Sequence, residues 1–162
     1  FQFFTVSGSR FPYRTGKNVL NATASGSKGM RVAEMYLNRA EAYALKYLKN
    51  GDAADKTAAL ADLNTLRRSR YDTRNTAYTP INIDDAQALY TFCQQERRRE
   101  LALEDGHRFV DLKRWGFGVT HVFTGTDNVT GTYTLPSNSP LFALPIPSFA
   151  MSANTSLVQN PR

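Results

Sequence analysis

Two glutamates, Glu96 and Glu100, have the spacing in this chain that most directly suggests catalysis. In a helix they stand one turn apart, about 6 Å along the axis, and a retaining glycosidase needs two carboxyl groups ~5 Å apart. Glycosidase carboxylates normally project from separate elements across a cleft, whereas these two share one predicted helix. Arg97, Arg98 and Arg99 lie between them, and nearby cations lower the pKa of a carboxyl group, which disfavours a general acid. The pattern therefore favours structural ion pairing over hydrolysis.

A second acid–base set, Glu34 and Glu41 with His107, is conceivable, but nothing in the spacing requires it. His107 follows a helix-ending glycine, where a capping or surface role is commoner than catalysis. The lone Cys93 excludes an intrachain disulfide and a cysteine-clustered metal site, and its helical context favours a small buried hydrophobe. With His121 as the only other histidine, the sequence predicts no metal and no cofactor.

Aromatic side chains are the remaining candidates for binding, because they can stack on sugar rings or bases. Three tyrosines at helical core spacing are predicted to be packing residues: Tyr36, Tyr43 and Tyr47. Three others fall in predicted loops and are the better candidates for ligand contact: Tyr71, Tyr78 and Tyr133.

The stretch from Gln94 to Trp115 combines dense charge with apolar and aromatic residues. Charges of both signs so near a core must be paired, because an unpaired buried charge costs several kcal/mol. The simplest arrangement is a helix, a break at Gly106 and a second short helix, joined by ion pairs. The residues to which we assign this structural role are Arg31, Glu34, Glu41, Glu96, Arg97, Glu100, Arg108, Asp111, Arg114 and Trp115.

Four helices are predicted to position these residues. Apolar periodicity and capping residues place them at 31–48, at 55–70, from Asp84 or Asp85 to about Asp105, and at 109–115. Asp52 or Asp55 caps the second helix, and the short loop before it predicts an antiparallel hairpin of the first two helices.

The two ends of the chain are predicted to be irregular. Residues 1–30 contain at most one short strand, at 3–6, and residues 116–162 are rich in loops. Within the latter, a hairpin of 120–123 with 132–135 is possible, and the apolar strap 141–147 should bury itself on the helices.

The bulk composition restricts the class of protein. A chain of 162 residues, 41% hydrophobic, is long enough for a globular core and has no run of ~20 apolar residues. The net charge of +6 invites a nucleic-acid interpretation, but the excess lies in residues 1–31 while the arginine-rich centre is nearly balanced, so we expect no nucleic-acid partner. Since the chain opens on Phe1 without a targeting signal, we expect a trimmed or truncated product.

Four stretches, in order, resemble the C-terminal portion of the SusD/RagB family of surface glycan-binding lipoproteins. They are RVAEMYLNRAEAYA (31–44), ALADLNTLRRSRY (59–71), ERRRELALEDGHRFVDLKRWG (96–116) and LPIPSFAMSANTSLVQNP (144–161). The extra acid before Gly106 and the dipeptide Phe109–Val110 depart from the family pattern without threatening the fold.

The resemblance implies a mainly α fold of tetratricopeptide-like antiparallel helix pairs, with 1–162 as one C-terminal portion in three regions (1–30, 31–115 and 116–162). It implies non-enzymatic capture of oligosaccharides at the outer-membrane surface for a SusC-like TonB-dependent transporter. It also implies an N-terminal lipid anchor and an upstream part of the same protein, both outside this sequence, with most ligand contacts upstream. Two alternatives stay open: a helical-repeat protein-interaction module, and a glycoside hydrolase using Glu96 and Glu100.

Overall fold

A computed structural model describes residues 31–102, 106–125 and 129–161 and divides the chain into two units, Phe1–Asp105 and Gly106–Arg162. The described part is mainly helical, as predicted. No helix within it is both long and apolar enough to cross a membrane. The strand predicted at 3–6 and the rest of the segment 1–30 lie outside the described residues.

The described residues of the first unit, 31–102, contain three helices: α1 (Val32–Asn50), α2 (Ala53–Arg68) and α3 (Ala86–Glu100). Gly51 ends α1 in the left-handed conformation, with φ 69°, as glycine commonly does at this position. The side chain of Asp52 accepts a hydrogen bond from the Ala54 amide and begins α2, and Asp85 caps α3 through the Ala88 amide.

The predicted end of α3 near Asp105 is wrong. The helix ends at Glu100, because Leu101 takes φ −97° and ψ 16° and its amide closes the last turn on the Arg97 carbonyl. Residues 103–105, which the prediction included, lie outside the described chain.

Ion pairs between the helices show their relative directions. Arg39 pairs with Asp62 and Lys46 with Asp55, so α1 and α2 run antiparallel, as the short loop predicts. Between α2 and α3 the ion pairs follow both chain segments in the same direction: Arg67 contacts Glu96, and Arg70 contacts Glu100. The helices α2 and α3 are therefore parallel to each other, and α1 is antiparallel to both.

The core of the first unit is built from small and aliphatic residues. Its buried members are Ala33, Leu37, Ala40, Ala44, Ala59, Leu60, Leu63, Leu66, Leu89, Cys93 and Leu101. The alanines of α1 let the neighbouring helices approach closely.

The predicted tyrosine stripe of α1 lies beside this core rather than at its centre. Tyr43 and Tyr47 are half-buried and pack against the core, while Tyr36 is half-buried next to the Arg39 guanidinium, 5.6 Å from its ring centroid. The phenol groups explain the position, because a hydroxyl must reach a partner: Tyr47 donates to the Asp84 carbonyl at 2.7 Å. Val32, one helical turn before Tyr36, is 73% exposed.

The second unit begins with α4 (His107–Trp115), which lies between two left-handed glycines, Gly106 and Gly116. Leu112 is buried, and the Phe109 ring lies 5.3 Å from the ring of Phe142. The predicted hairpin is confirmed and slightly longer than expected.

Its strands, β1 (Val119–Thr124) and β2 (Thr130–Leu135), pair antiparallel with His121 opposite Tyr133. Threonine hydroxyls bridge the strands at two positions, Thr120–Thr134 and Thr124–Thr130. Both strands are largely exposed, so these cross-strand contacts contribute to holding the ribbon.

The apolar strap is not buried as predicted. The first two residues of the strap belong to a 3-10 turn, Pro140–Phe142, in which Phe142 is buried, whereas Leu144 is 70% exposed. The strap is held instead by polar side chains from the end of the chain. The Gln159 amide accepts from the Ile146 amide and donates to its carbonyl, and Asn160 donates to the Leu144 carbonyl at 2.6 Å. A short helix, α5 (Ser148–Ala153), which the sequence did not predict, lies between these partners.

Candidate functional site

The Glu100 carboxylate is bound by two arginines from outside its own helix. Arg70 contacts both of its oxygens, with Nε at 3.0 Å and Nη2 at 2.9 Å, and Arg31 Nη2 donates to Oε1 at 2.8 Å. The arginines come from the residues just after α2 and just before α1, so one side chain of α3 joins all three helices. Such bidentate, charge-assisted contacts are among the stronger hydrogen bonds in proteins.

The pKa of Glu100 lies below its ordinary value. Burial alone would raise it, but the hydrogen bonds and positive charges of Arg70 and Arg31 outweigh burial. A carboxyl group held ionised in this way is unsuited to donate a proton, as a glycosidase acid must.

Glu96 joins the same helices one turn earlier. Its Oε1 accepts from Arg67 Nη1 of α2 at 2.8 Å and from Arg99 Nη1 of its own helix. The Arg67 guanidinium also lies 5.3 Å from the ring centroid of Phe92 on α3. The two glutamates considered as a catalytic pair are thus each bound by two arginines.

Arg97 points to the opposite side, towards α1. Its guanidinium donates to Asn38 Oδ1 at 2.6 Å and to Glu34 Oε1 at 3.3 Å, and Arg97 itself is buried. Glu41 is buried on α1, and His107 begins α4 in the second unit. Glu34 is therefore engaged with an arginine, which leaves the acid–base set without support from the geometry of the first unit.

The assigned residues of the second unit lie on α4. Asp111 is buried and accepts from Arg114 Nε at 2.8 Å, and the Arg114 guanidinium lies 4.4 Å from the Trp115 ring centroid. Arg108 is half-buried on the same helix. Arg114 thus forms an ion pair with Asp111 and a cation–π contact with Trp115.

The arginine–glutamate contacts of α2 and α3 surround a surface cavity of about 830 Å³, which we call the arginine depression. It is lined by Leu66, Arg67, Ser69, Arg70, Tyr71, Asp72, Arg74, Glu96, Arg99 and Glu100. Its volume is within the roughly 300–1,000 Å³ range of small-molecule sites. A smaller cavity of about 450 Å³ lies against α1 at Met35, Tyr36, Asn38 and Arg39.

Of the three tyrosines proposed for ligand contact, only Tyr71 lines the arginine depression. It is 53% exposed, accepts a hydrogen bond from Arg67 Nη2 at 2.6 Å, and lies 5.4 Å from Tyr78, ring centroid to ring centroid. Tyr78 is half-buried and donates to Asn64 Oδ1 at 2.6 Å. Tyr133 is 65% exposed on β2 of the second unit.

The contribution of α2 and the residues just after it to this site is not predicted from the sequence. Cations in a last helical turn favour the helix dipole, but Arg67 and Arg70 also reach across to α3. Their spacing of three residues approaches that of Glu96 and Glu100, and this match could have indicated the pairing. The Asp72–Arg74 contact that follows, with Nη2 2.6 Å from Oδ2, joins residues two positions apart in a loop, and no spacing pattern in the sequence indicates it.

Groups that would hold a metal are not found in the described chain. Across residues 31–102, 106–125 and 129–161, no three His, Cys, Asp or Glu side chains are placed to share an ion. Burial, followed by the charges of Glu41 and Glu96, raises the pKa of Cys93 to about 12, so its thiol stays protonated at neutral pH.

Comparison with known proteins identifies a family for the chain. A family model described as the SusD family matches residues 9–162. No curated protein and no solved structure matches the chain.

Proposed function

The chain belongs to the SusD family, and from that membership we propose that it helps capture oligosaccharides at the outer-membrane surface for a SusC-like TonB-dependent transporter. The family is known for binding glycans at the cell surface and is generally associated with the outer membrane. The observation that carries the proposal is the family match over residues 9–162.

We assign the first unit mainly a scaffold role within this function. Its helices are joined by ion pairs whose carboxylates are buried, with the Glu96 and Glu100 side chains 10% and 6% exposed. Removing an arginine from such a pair is costly, because the carboxylate is left buried without its partner. This arrangement suits a framework that keeps binding surfaces in fixed positions.

Members of the family are carbohydrate-binding proteins rather than enzymes, and we propose the same for this chain. Two arginine-bound glutamates on one helix support binding over hydrolysis. We further propose that a lipid anchor attaches the protein to the membrane, since family resemblance implies it.

The proposal is tested by presenting the purified protein with a panel of neutral and acidic oligosaccharides. Isothermal titration calorimetry should detect binding to at least one glycan, and chromatography of the same mixtures should show every oligosaccharide intact. Shorter products would contradict the non-enzymatic role. Binding of peptides with no affinity for any glycan would instead support the protein-interaction module.

Delivery to a transporter needs a separate test. The tagged protein should co-purify from detergent-solubilised outer membranes with a TonB-dependent transporter. Recovery without any such partner would contradict this part of the proposal.

A further inference from the structure

We propose that the arginine depression binds an acidic oligosaccharide, with Arg99, Arg70 and Arg74 receiving the carboxylates of uronic acid residues and Tyr71 packing against a sugar ring. This deepens the proposed function by naming a ligand class and a site. It rests on glycan binding by the protein, and the experiment below separates the two.

The charges of the arginine depression are arranged with the cations outermost. The carboxylates of Glu96 and Glu100 are at its base, 10% and 6% exposed, whereas the guanidinium side chains face outwards. The exposed fractions are 42% for Arg70 and 52% for Arg99. Solvent, and therefore a ligand, meets mainly the cationic members of these pairs.

The third exposed arginine belongs to the loop after α2. Arg74 is 85% exposed and contacts Asp72, which is 55% exposed, so this pair presents both signs of charge. The lining of the depression contains four arginines and three carboxylates, two of them at its base. The exposed balance is positive. Nε and Nη2 of Arg70 and of Arg74 already donate to Glu100 and Asp72, so a ligand carboxylate would meet the remaining N–H groups of these guanidiniums.

An aromatic ring at the rim gives the depression a second means of recognition. Tyr71 is held by the Arg67 guanidinium, which lies 5.1 Å from its ring centroid, and by the edge of Tyr78. A ring fixed in this way offers apolar area at little cost in side-chain entropy. The C–H face of a sugar can pack against it while the substituents of that sugar meet the arginines.

The combination favours a sugar over an acidic peptide. Arginines alone would suit either ligand, but a fixed, half-exposed ring next to planar polar side chains matches a rigid cyclic ligand that is apolar on one face and charged at its edge. The volume of about 830 Å³ admits a short oligosaccharide.

The test uses calorimetric titration with galacturonate, mannuronate and glucuronate oligosaccharides, each compared with its methyl-esterified form. Wild-type protein should bind at least one acid oligosaccharide about tenfold more tightly than its ester. The preference should shrink as salt concentration rises, because charge–charge attraction is screened.

Two substitutions address the site itself. Arg99→Gln and Arg74→Gln should each weaken binding of the acid form about tenfold and leave binding of the ester nearly unchanged. Arg98→Gln is the matched control, since it removes the same charge from an exposed position of α3 outside the depression. Its affinity should stay within twofold of wild type. Thermal unfolding of all variants checks that the fold is intact.

Each alternative result overturns a defined part of the proposal. If the esters bind as well as the acids, or if Arg98→Gln weakens binding as much as Arg99→Gln, the acidic site is wrong while glycan capture survives. Binding of neutral oligosaccharides with no acid bound leads to the same conclusion. An equally tight polyglutamate peptide would replace the sugar by a peptide, and a protein that binds no glycan at all would remove the proposed function too.

Discussion

A buried carboxylate bound by two arginines contributes differently from one on the surface. Glu100 is held at the junction of three helices, while Asp72 pairs with Arg74 in solvent. The pKa of each carboxyl is lowered. At Glu100 burial raises the pKa, but the two arginines outweigh that effect. At Asp72 the hydrogen bonds from Arg74 lower it. Only the first arrangement joins three helices, so only its loss removes contacts between them.

Glu100→Ala should therefore lower the free energy of unfolding by about 1.5–3 kcal/mol, the usual contribution of hydrogen bonds to a charged group. Asp72→Ala, which deletes an exposed partner, should leave it nearly unchanged. Urea unfolding followed by circular dichroism measures both. Equal losses in the two variants would show that Glu100 is no more important to stability than a surface charge.

The lowered pKa of Glu100 also sets a pH dependence. In the unfolded chain this group titrates near 4.5, and in the folded protein it titrates lower. Its contribution is therefore fully present above about pH 4.5 and is lost as pH falls through the folded-state value.

The difference in unfolding free energy between wild type and Glu100→Gln should accordingly be constant near neutrality and shrink on acidification. Taking the difference cancels the other carboxyls whose pKa values are lowered, among them Asp84 beside Lys56. A difference that grows as pH falls would contradict a lowered pKa of Glu100 in the folded protein.

At the scale of elements, α1 is distinguished by the small side chains with which it meets its neighbours. Ala40 and Ala44 are completely buried, whereas Ala42 is exposed on the same helix. Alanine is a good helix former everywhere, so helix propensity does not distinguish these positions, and only packing does.

Ala40→Leu should destabilise the protein by about 1–3 kcal/mol, because added methylenes must displace a packed neighbour. Ala42→Leu makes the same chemical change in solvent and should be nearly neutral. Thermal unfolding of the pair tests this, and a neutral Ala40→Leu would mean that the interface of α1 is loose enough to repack.

The helices were predictable because their signals are local, whereas the contacts among them were not. Periodicity and capping located α1 to α4, and Asp52 and Asp85 behave as capping residues should. Which arginine meets which glutamate depends on how helices distant in sequence are aligned, so the pairing of Arg70 with Glu100 was missed. The exposed strap shows the opposite error, since an apolar run predicts burial but cannot reveal that Gln159 holds its backbone.

At the scale of the molecule, two units with different construction are joined in one chain. The first is a helical core tied by buried ion pairs, and the second combines a short helix, a ribbon and a strap held by side-chain amides. The tetratricopeptide-like pairing of helices stays a prediction, although the antiparallel α1 and α2 are compatible with it. The family motifs span both units, which explains why a sequence could be placed in the SusD family when single motifs were modest.

Local sequence context identifies only some residues of the arginine depression. Tyr71 was singled out from its loop context, and it lines the arginine depression with residues of α2 and α3. Arg74 and Arg99 were not proposed, because surface arginines are common and only their convergence in space distinguishes them.

The single cysteine is an intrinsic probe of local unfolding in the first unit. Cys93 is 1% exposed, and its raised pKa keeps the thiol unreactive while the helices are closed. A thiol reagent such as a maleimide should therefore react only with molecules in which α3 has detached, and the labelling rate should follow the frequency of such openings. Glu100→Ala should accelerate that labelling, and a bound oligosaccharide that spans α2 and α3 should slow it. A single labelling time course followed by mass spectrometry would then measure how often these helices separate, without any introduced probe.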